Sequence, residues 1–331
     1  MLDPVVAAVR RAVREALAPF AESGARVIVA LSGGADSLAL AAAAAHEGPR
    51  AGVEVVAVTV DHGLQSGSAG IAERAAAQAR EMGIVDARVV RVGVGSAGGP
   101  EAAARDARYA ALRDAAASSG AAAVLIGHTL DDQAETVLLG LARGSGATSL
   151  KGMSPHTLDA HGLAWVRPLL ALRRADTEAF CAQSGFEPWA DPHNGDERFA
   201  RVRVRQRVLP VLEAELGPGI AEALWRTAEQ LREDDAAFAE MIDETIEDIV
   251  EHAEAGIAVS VPALAANPAA IRNRVIRHVV ASEFGVSLTR SQTVEVARLV
   301  TDWSGQGPID LPGCRATRTG SALTFRATTN G

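Results

Sequence analysis

The chain has 331 residues, 48% of them hydrophobic, with mixed charge and no low-complexity run; this excludes a disordered or fibrous protein and leaves room for two ordinary domains. No apolar stretch reaches membrane-spanning length, and the N-terminus Leu2-Asp3-Pro4-Val5-Val6 lacks the basic region, apolar core and cleavage site of a secretory signal, so a cytoplasmic protein with no membrane partner is expected. The two cysteines, Cys181 and Cys314, form no C-x-x-C pair, which disfavours a disulfide framework, a zinc site or a sulfur relay.

The formal net charge of −9 argues against indiscriminate nucleic-acid binding, but the charge is segregated. Glu222 to Glu254 holds 12 acidic and 2 basic residues, whereas Ala255 to Gly331 holds 4 acidic and 8 basic. Arg198, Arg201, Arg203, Arg205 and Arg207 form the densest cationic stretch, fit either for phosphates or for a solvated helix face.

Asp3 can cap a helix with Pro4 at its first position, and Val5, Val9, Val13, Leu17 and Phe20 fall on one side of it. Strands are then expected at Arg26 to Leu31, Val53 to Val60, Ala87 to Val92 and Ala122 to Gly127. Helices between and after them are expected at Ser37 to Ala45, Ala69 to Met82, Glu101 to Ser118 and Asp131 to Leu141. Apolar runs separated by helices imply a doubly wound, Rossmann-like parallel α/β sheet, whose ligands bind beyond the carboxyl ends of the strands. Helices dominate after Pro168: Arg173 to Ser184, Glu197 to Glu213, a long one from Ile220 to Glu254, Ala269 to Phe284 and Thr289 to Asp302. Short strands follow around Ile309 to Leu311, Arg315 to Arg318 and Ala322 to Arg326. Gly217-Pro218-Gly219 marks the boundary between a domain of residues 1–216, with a helical extension from about 170, and a mainly helical C-terminal domain of residues 217–331.

Three loops carry the chemistry. Ser32-Gly33-Gly34-Ala35-Asp36-Ser37 joins a strand to a helix with small residues, so backbone N–H groups and the helix N-terminus can hold phosphate. It lacks the Gly-Lys-Ser/Thr of a Walker loop and the G-x-G-x-x-G of a dinucleotide site. Asp36 beside a triphosphate would repel it unless a Mg²⁺ lay between. Asp61-His62-Gly63-Leu64 faces the same crevice, or serves only as a capped turn. Gly127-His128-Thr129-Leu130-Asp131-Asp132-Gln133-Ala134-Glu135 starts a helix; capping explains one aspartate but not His128, Asp132 and Glu135 together, and zinc lacks a third soft ligand. Arg105 and Arg108 lie three apart on one helical face, where they could reach a phosphate or a base edge, or be solvated.

Ser-Gly-Gly-Ala-Asp-Ser is the PP-loop signature of N-type enzymes that split ATP into AMP and pyrophosphate. Together with Asp61-His62-Gly63-Leu64, Ala104-Arg105-x-x-Arg108-Tyr109, Gly127-His128-Thr129, Asp131-Asp132-Gln133, Arg143-Gly144-Ser145-Gly146 and Arg167-Pro168-Leu169-Leu170, it resembles the tRNA(Ile)-lysidine synthetase family. Asp191-Pro192-His193-Asn194 and Arg201-Val202-Arg203-Val204-Arg205 are similar to the family's Asp-Pro-Ser-Asn and Arg-Asn-x-Ile-Arg elements, with His193 and Val202 departing from them. The resemblance implies adenylylation of carbon 2 of the wobble cytidine of the CAU-anticodon isoleucine tRNA, followed by attack of free L-lysine. It implies ATP and Mg²⁺ as cofactors and ATP binding by Ser32 to Ser37, Asp61, His62 and Gly127, with the metal on Asp36. Lysine would be bound by Asp131, Asp132 and Glu135, with Asp36, Asp132, His128, Arg105 and Arg108 as catalytic residues. The tRNA would lie on Arg201, Arg205, Arg207, Arg272 and Arg274. It leaves the oligomeric state open, a homodimer included. A PP-loop thiolase and a non-catalytic ATP-binding module are the alternatives.

Overall fold

The structure, a computed structural model, describes residues 3–21, 24–63, 67–95, 100–144, 146–253 and 256–328. Its first part runs α1 (Pro4–Ala21), β1 (Arg26–Ala30), α2 (Ala35–Glu47), β2 (Glu54–Asp61), α3 (Ser68–Glu81), β3 (Ala87–Arg91), α4 (Pro100–Ser119), β4 (Ala121–Leu125), α5 (Leu130–Ala142), α6 (Ala147–Leu150), β5 (His156–Leu158), β6 (Ala164–Val166) and α7 (Arg174–Ser184). Next come α8 (Ala200–Arg203), a π-helical turn over Val204–Val208, α9 (Leu209–Leu216) and α10 (Ile220–Ile249). The chain ends with β7 (Val250–Ala253), β8 (Gly256–Ser260), α11 (Val261–Ala266), α12 (Ala269–Phe284), α13 (Arg290–Thr301), β9 (Ile309–Leu311), β10 (Cys314–Thr319) and β11 (Ala322–Ala327). Two compact units result, residues 1–232 and 233–331, with the break inside α10. No described helix is long and apolar enough to cross a membrane.

The first unit is built on a sheet in the order β3-β2-β1-β4-β6-β5, parallel throughout except for the antiparallel edge pair β5–β6. Because strand side chains alternate, Val27 and Val29 enter one core with Val9, Val13 and Leu17 of α1 and Phe180 of α7. Ile28 enters the opposite core with Leu112 of α4 and Trp165 of β6. Covering both faces is what a parallel sheet of apolar runs requires. The Asp3 carboxylate accepts the Val5 N–H at 2.8 Å, as the cap at the start of α1 predicts. β5 and β6 extend the sheet beyond the expected strands.

The second unit packs α11, α12 and α13 on an antiparallel sheet of order β7-β8-β11-β10-β9 around Val275, Val279, Leu299 and Phe325. α12 has the expected bounds, ending at Gly285 with φ +65°, which suits glycine. β7 and β8 lie where the long acidic helix was expected to finish or just beyond it.

β2 and β3 follow β1 on one side of the sheet and β4 lies on the other, so the strand order reverses between β1 and β4 and opens a crevice at their carboxyl ends. The two loops there nearly touch: a Cβ on Gly127 would lie 2.9 Å from the Asp36 carbonyl oxygen and 3.2 Å from the Ser37 nitrogen. Backbone stands on both sides, so neither can yield cheaply. Gly127→Ala is therefore expected to cost about 1–3 kcal/mol of stability, seen as a lowered melting temperature. Gly34→Ala, with φ −74° and no such clash nearer than 3.7 Å, is expected to melt like the parent.

Candidate active site

Ser37 closes the loop after β1: its Oγ accepts the Ser32 N–H at 3.1 Å and donates to the Gly34 carbonyl at 3.0 Å. Gly33 sits at φ +86°, a conformation costly for any other residue. Its carbonyl accepts the Trp189 N–H at 2.8 Å, which ties the loop to the chain after α7. The first-turn N–H groups of α2 thus face the crevice without a side-chain cap at Gly34. An anion there would supply the acceptor.

Asp36 points from this turn towards α7. Its Oδ1 accepts the Thr177 hydroxyl, and its Oδ2 lies 3.5 Å from Arg174 Nε. Burial pushes the carboxyl above its ordinary value, against Thr177 and Arg174, and the nearby Asp132 adds to the rise. A cation at this carboxylate would be stabilising.

Arg174, the first residue of α7, joins that carboxylate to those of α5. Its N–H donates to Asp131 Oδ2 at 2.7 Å and its Nη2 to Asp132 Oδ1 at 2.9 Å, while Nη1 lies 3.6 Å from Glu135 Oε1. Asp132 also completes a capping box, its Oδ2 accepting the Thr129 N–H at 2.9 Å and the Thr129 hydroxyl at 3.0 Å. Burial pushes the Asp132 carboxyl up, but Arg174 and the Thr129 N–H outweigh it and hold it below its ordinary value. Glu135 has no exposed surface; Arg205 grips it through Nε at 2.7 Å and Nη2 at 3.2 Å, and Arg201 Nε lies 3.2 Å away.

The opposite wall is cationic and aromatic. Arg108 lines the crevice with no carboxylate partner among the described residues, and burial, with Arg105 and Arg201 nearby, pushes its pKa down. Arg105 is exposed, donates to the Tyr109 hydroxyl at 3.3 Å and stacks on that ring. His62 and His128 present buried Nδ1 atoms with no hydrogen-bond partner among the described residues. Burial drives His128 down to about 3, so its imidazole is neutral at physiological pH. Asp61 is spent on its own turn, accepting the Ser68 hydroxyl and the Gly63 N–H, which hold its carboxyl below the usual range. Leu64 and Ser145 lie outside the described residues. The cavity enclosed has a volume of about 1030 Å³, and Asp36, His62, Arg108, His128, Asp132 and Arg174 all reach it.

Residues 6–212 match the family model of the PP-loop domain, and residues 260–323 match that of the TilS substrate binding domain. The chain is 60% identical over 303 residues to the tRNA(Ile)-lysidine synthase of Leifsonia xyli subsp. xyli, covering 91% of this chain and 90% of that one. It belongs to the tRNA(Ile)-lysidine synthase family. The synthase of Thermobifida fusca is 49% identical over 317 residues, covering 95% of each chain. A solved structure, the U34-tRNA thiolase NcsA from Methanococcus maripaludis, superposes with a TM-score of 0.59 at 20% identity over 69% of this chain and 80% of that one, a likeness of fold alone.

In this member of the synthase family the crevice gathers Ser32, Gly34 to Ser37, Asp61, His62, Arg108, Gly127, His128 and Asp132, while Gly33 only shapes the turn. Asp131 and Glu135 stand behind Asp132, and Arg105 stands outside. Arg201 and Arg205 turn inward onto Glu135, while Arg207 pairs with Glu197 on the surface. In the second unit, Arg272 donates to the Asn267 carbonyl at 3.1 Å and Arg274 stacks on Phe238 at 4.0 Å. Val202 is buried, so an apolar side chain suits the place where the family pattern has asparagine. Arg174 and Thr177 escaped the motif reading; two arginines, Arg173 and Arg174, at the head of a helix just after Arg167-Pro168-Leu169-Leu170 were the available signal. Cys181 is buried with its thiol pushed up to about 12, and Cys314 is buried in the other unit, so neither supplies a thiolate for sulfur chemistry.

Among the described residues no group of three or more His, Cys, Asp or Glu could hold a metal. Mg²⁺ needs no such cage: one or two carboxylates with water and substrate phosphates suffice. Asp36, a half-buried carboxylate beside an open anion cradle, fits that mode.

His128 makes a prediction in pH. Its folded pKa, about 3, lies below the ordinary 6.5, so protonation favours the unfolded chain. Its contribution to stability is complete above about pH 6.5 and is lost as the pH falls towards 3. His128→Gln is expected to flatten the melting-temperature profile between pH 6.5 and 4 relative to the parent; two parallel profiles would show that the imidazole is not held neutral.

Proposed function

We propose that this protein uses ATP and free L-lysine to convert the wobble cytidine of the CAU-anticodon isoleucine tRNA into lysidine. What carries the reading is one crevice with an anion cradle (Ser32 to Ser37), a guanidinium with no carboxylate partner among the described residues (Arg108) and a carboxylate wall (Asp132), in a chain of the tRNA(Ile)-lysidine synthase family. The cradle suits triphosphate, the guanidinium suits the phosphate that is transferred, and the carboxylate suits an ammonium.

In the first step the C2 oxygen of the cytosine attacks the α-phosphorus of ATP, and pyrophosphate leaves. Charge accumulates on the leaving group beside the N–H groups of the loop and the N-terminus of α2, which are already oriented and need no rearrangement. A Mg²⁺ held by Asp36 would neutralise further negative charge there. Arg108 meets the α-phosphate and then the adenylate. In the second step the lysine ε-amine, having lost a proton, attacks C2; the C2–O bond breaks, AMP departs and the nitrogen releases a second proton. With its pKa held down, Asp132 is a better counter-ion for the incoming ammonium than a base, so the protons pass to water in the open crevice. His128, neutral throughout, offers a hydrogen bond to the base or the adenylate. A cytosine in a single-stranded anticodon loop reaches this depth at little unstacking cost. Arg207, Arg272 and Arg274 are the candidate phosphate contacts.

AMP release should require the tRNA, ATP and lysine together, and release in the absence of lysine would contradict the second step. Asp132→Asn keeps size but loses charge, so the KM for lysine should rise about tenfold or more while that for ATP stays within about twofold. Asp36→Asn should melt near the parent but lose at least about a hundredfold in Mg²⁺-dependent pyrophosphate release; unchanged turnover at saturating Mg²⁺ would remove Asp36 from the role.

A further inference from the structure

Arg201 and Arg205 belong to the chain's densest cationic stretch, where RNA phosphates would be met, yet both guanidiniums lie against a carboxylate with no exposed surface. Arg205 also lies 3.8 Å from Asp132, the acid that reaches the crevice, and Arg174 is 2.9 Å from it. A lysine ammonium approaching Asp132 would meet like charge on two sides. We propose that Arg201 and Arg205 are exchangeable counter-ions: they close the acidic face of α5 to lysine in the free protein, and the phosphates of the anticodon loop draw them away. Lysine is then accepted only after the RNA.

Three features suit them to that exchange. Arg201 Nε, although 3.2 Å from Glu135, is buried with no hydrogen bond among the described residues, and Nη2 donates to the Thr136 hydroxyl at 2.8 Å instead, so its grip on that carboxylate is incomplete. Arg205 lies in the π-helical turn Val204–Val208, between the short helices α8 and α9, and Pro210 just beyond it cannot donate back along the helix. One-turn π segments inside α-helices are frequent at functional sites. Guanidinium forks pair with phosphate as well as with carboxylate, so RNA can replace Glu135 as their partner. An ammonium that enters as the guanidiniums leave keeps the carboxylates compensated.

The inference rests on lysine being the amine substrate, and its test separates the two. Lysine binding to the full-length protein is measured by equilibrium dialysis, without ATP, with and without an anticodon stem-loop RNA bearing CAU. The RNA should tighten lysine binding by about tenfold or more, and lysine should tighten RNA binding by the same factor, since coupling is reciprocal. Arg205→Gln should bind lysine more tightly than the parent without RNA and lose most of the RNA effect. Equal lysine affinity with and without RNA in the parent, or an undiminished RNA effect in Arg205→Gln, overturns the exchange. Should that variant fail to fold, the reciprocal measurement on the parent decides. Failure of the complete reaction to incorporate lysine into tRNA would overturn the substrate reading instead.

Discussion

A carboxylate with no exposed surface must be paired, and Glu135 imposes that condition on everything around it. Its partners come from three later stretches of the chain: Arg174 from the head of α7, Arg201 from α8 and Arg205 from the π turn. Bringing them to α5 draws Val204 and Leu209 onto Leu130 and Ala134, so an apolar contact and an ionic one close together. Replacing Glu135 would leave Arg201 and Arg205 without the carboxylate they share, and breaking a buried pair in this way typically costs about 3–5 kcal/mol. α7 thereby brings Thr177 to Asp36. The geometry of the loop after β1 is tied in this way to the ion network on α5.

The sheet supplies the other constraint. Parallel strands direct their carboxyl ends to one edge, and reversal of strand order between β1 and β4 parts the loops there enough for a ligand, while Gly127 lets their backbones approach closely. The fold is shared with the thiolase structure, so it does not select the chemistry. Selection lies in the side chains: both cysteines are buried thiols, whereas a carboxylate beside imidazoles and a guanidinium that have no side-chain partner of opposite charge among the described residues suits an amine, a base and a phosphate.

Much of this was legible in the sequence wherever one stretch of chain contains its own signal. β1 to β4 are runs rich in Val and Ala, each finishing at an aspartate or within three residues of a glycine, and α12 is bracketed by Pro268 and Gly285, so both announce themselves locally. β5 and β6 have three residues each, too few to display a period, and β7 continues directly from an acidic helix. The single helix expected from Glu197 to Glu213 runs from Ala200 to Leu216, but neither its π turn over Val204–Val208 nor the inward turn of Arg201 and Arg205 onto Glu135 shows in the local helical pattern. Arg174 and Thr177 stand 138 and 141 residues from the Asp36 they hold, and no spacing rule spans that distance. The charge cluster from Arg198 to Arg207 was visible, but which of its members face inward depended on a glutamate some 70 residues earlier.

The central claim is that this crevice joins lysine to carbon 2 of a tRNA cytidine. Its most direct test is mass spectrometry of nucleosides from CAU-anticodon isoleucine tRNA incubated with the protein, ATP and isotopically labelled lysine. The account predicts one new nucleoside, heavier than cytidine by a lysine less one water and carrying the label, formed only when ATP is present. Unmodified cytidine after ATP has been consumed, or a sulfur-containing product in its place, would contradict it.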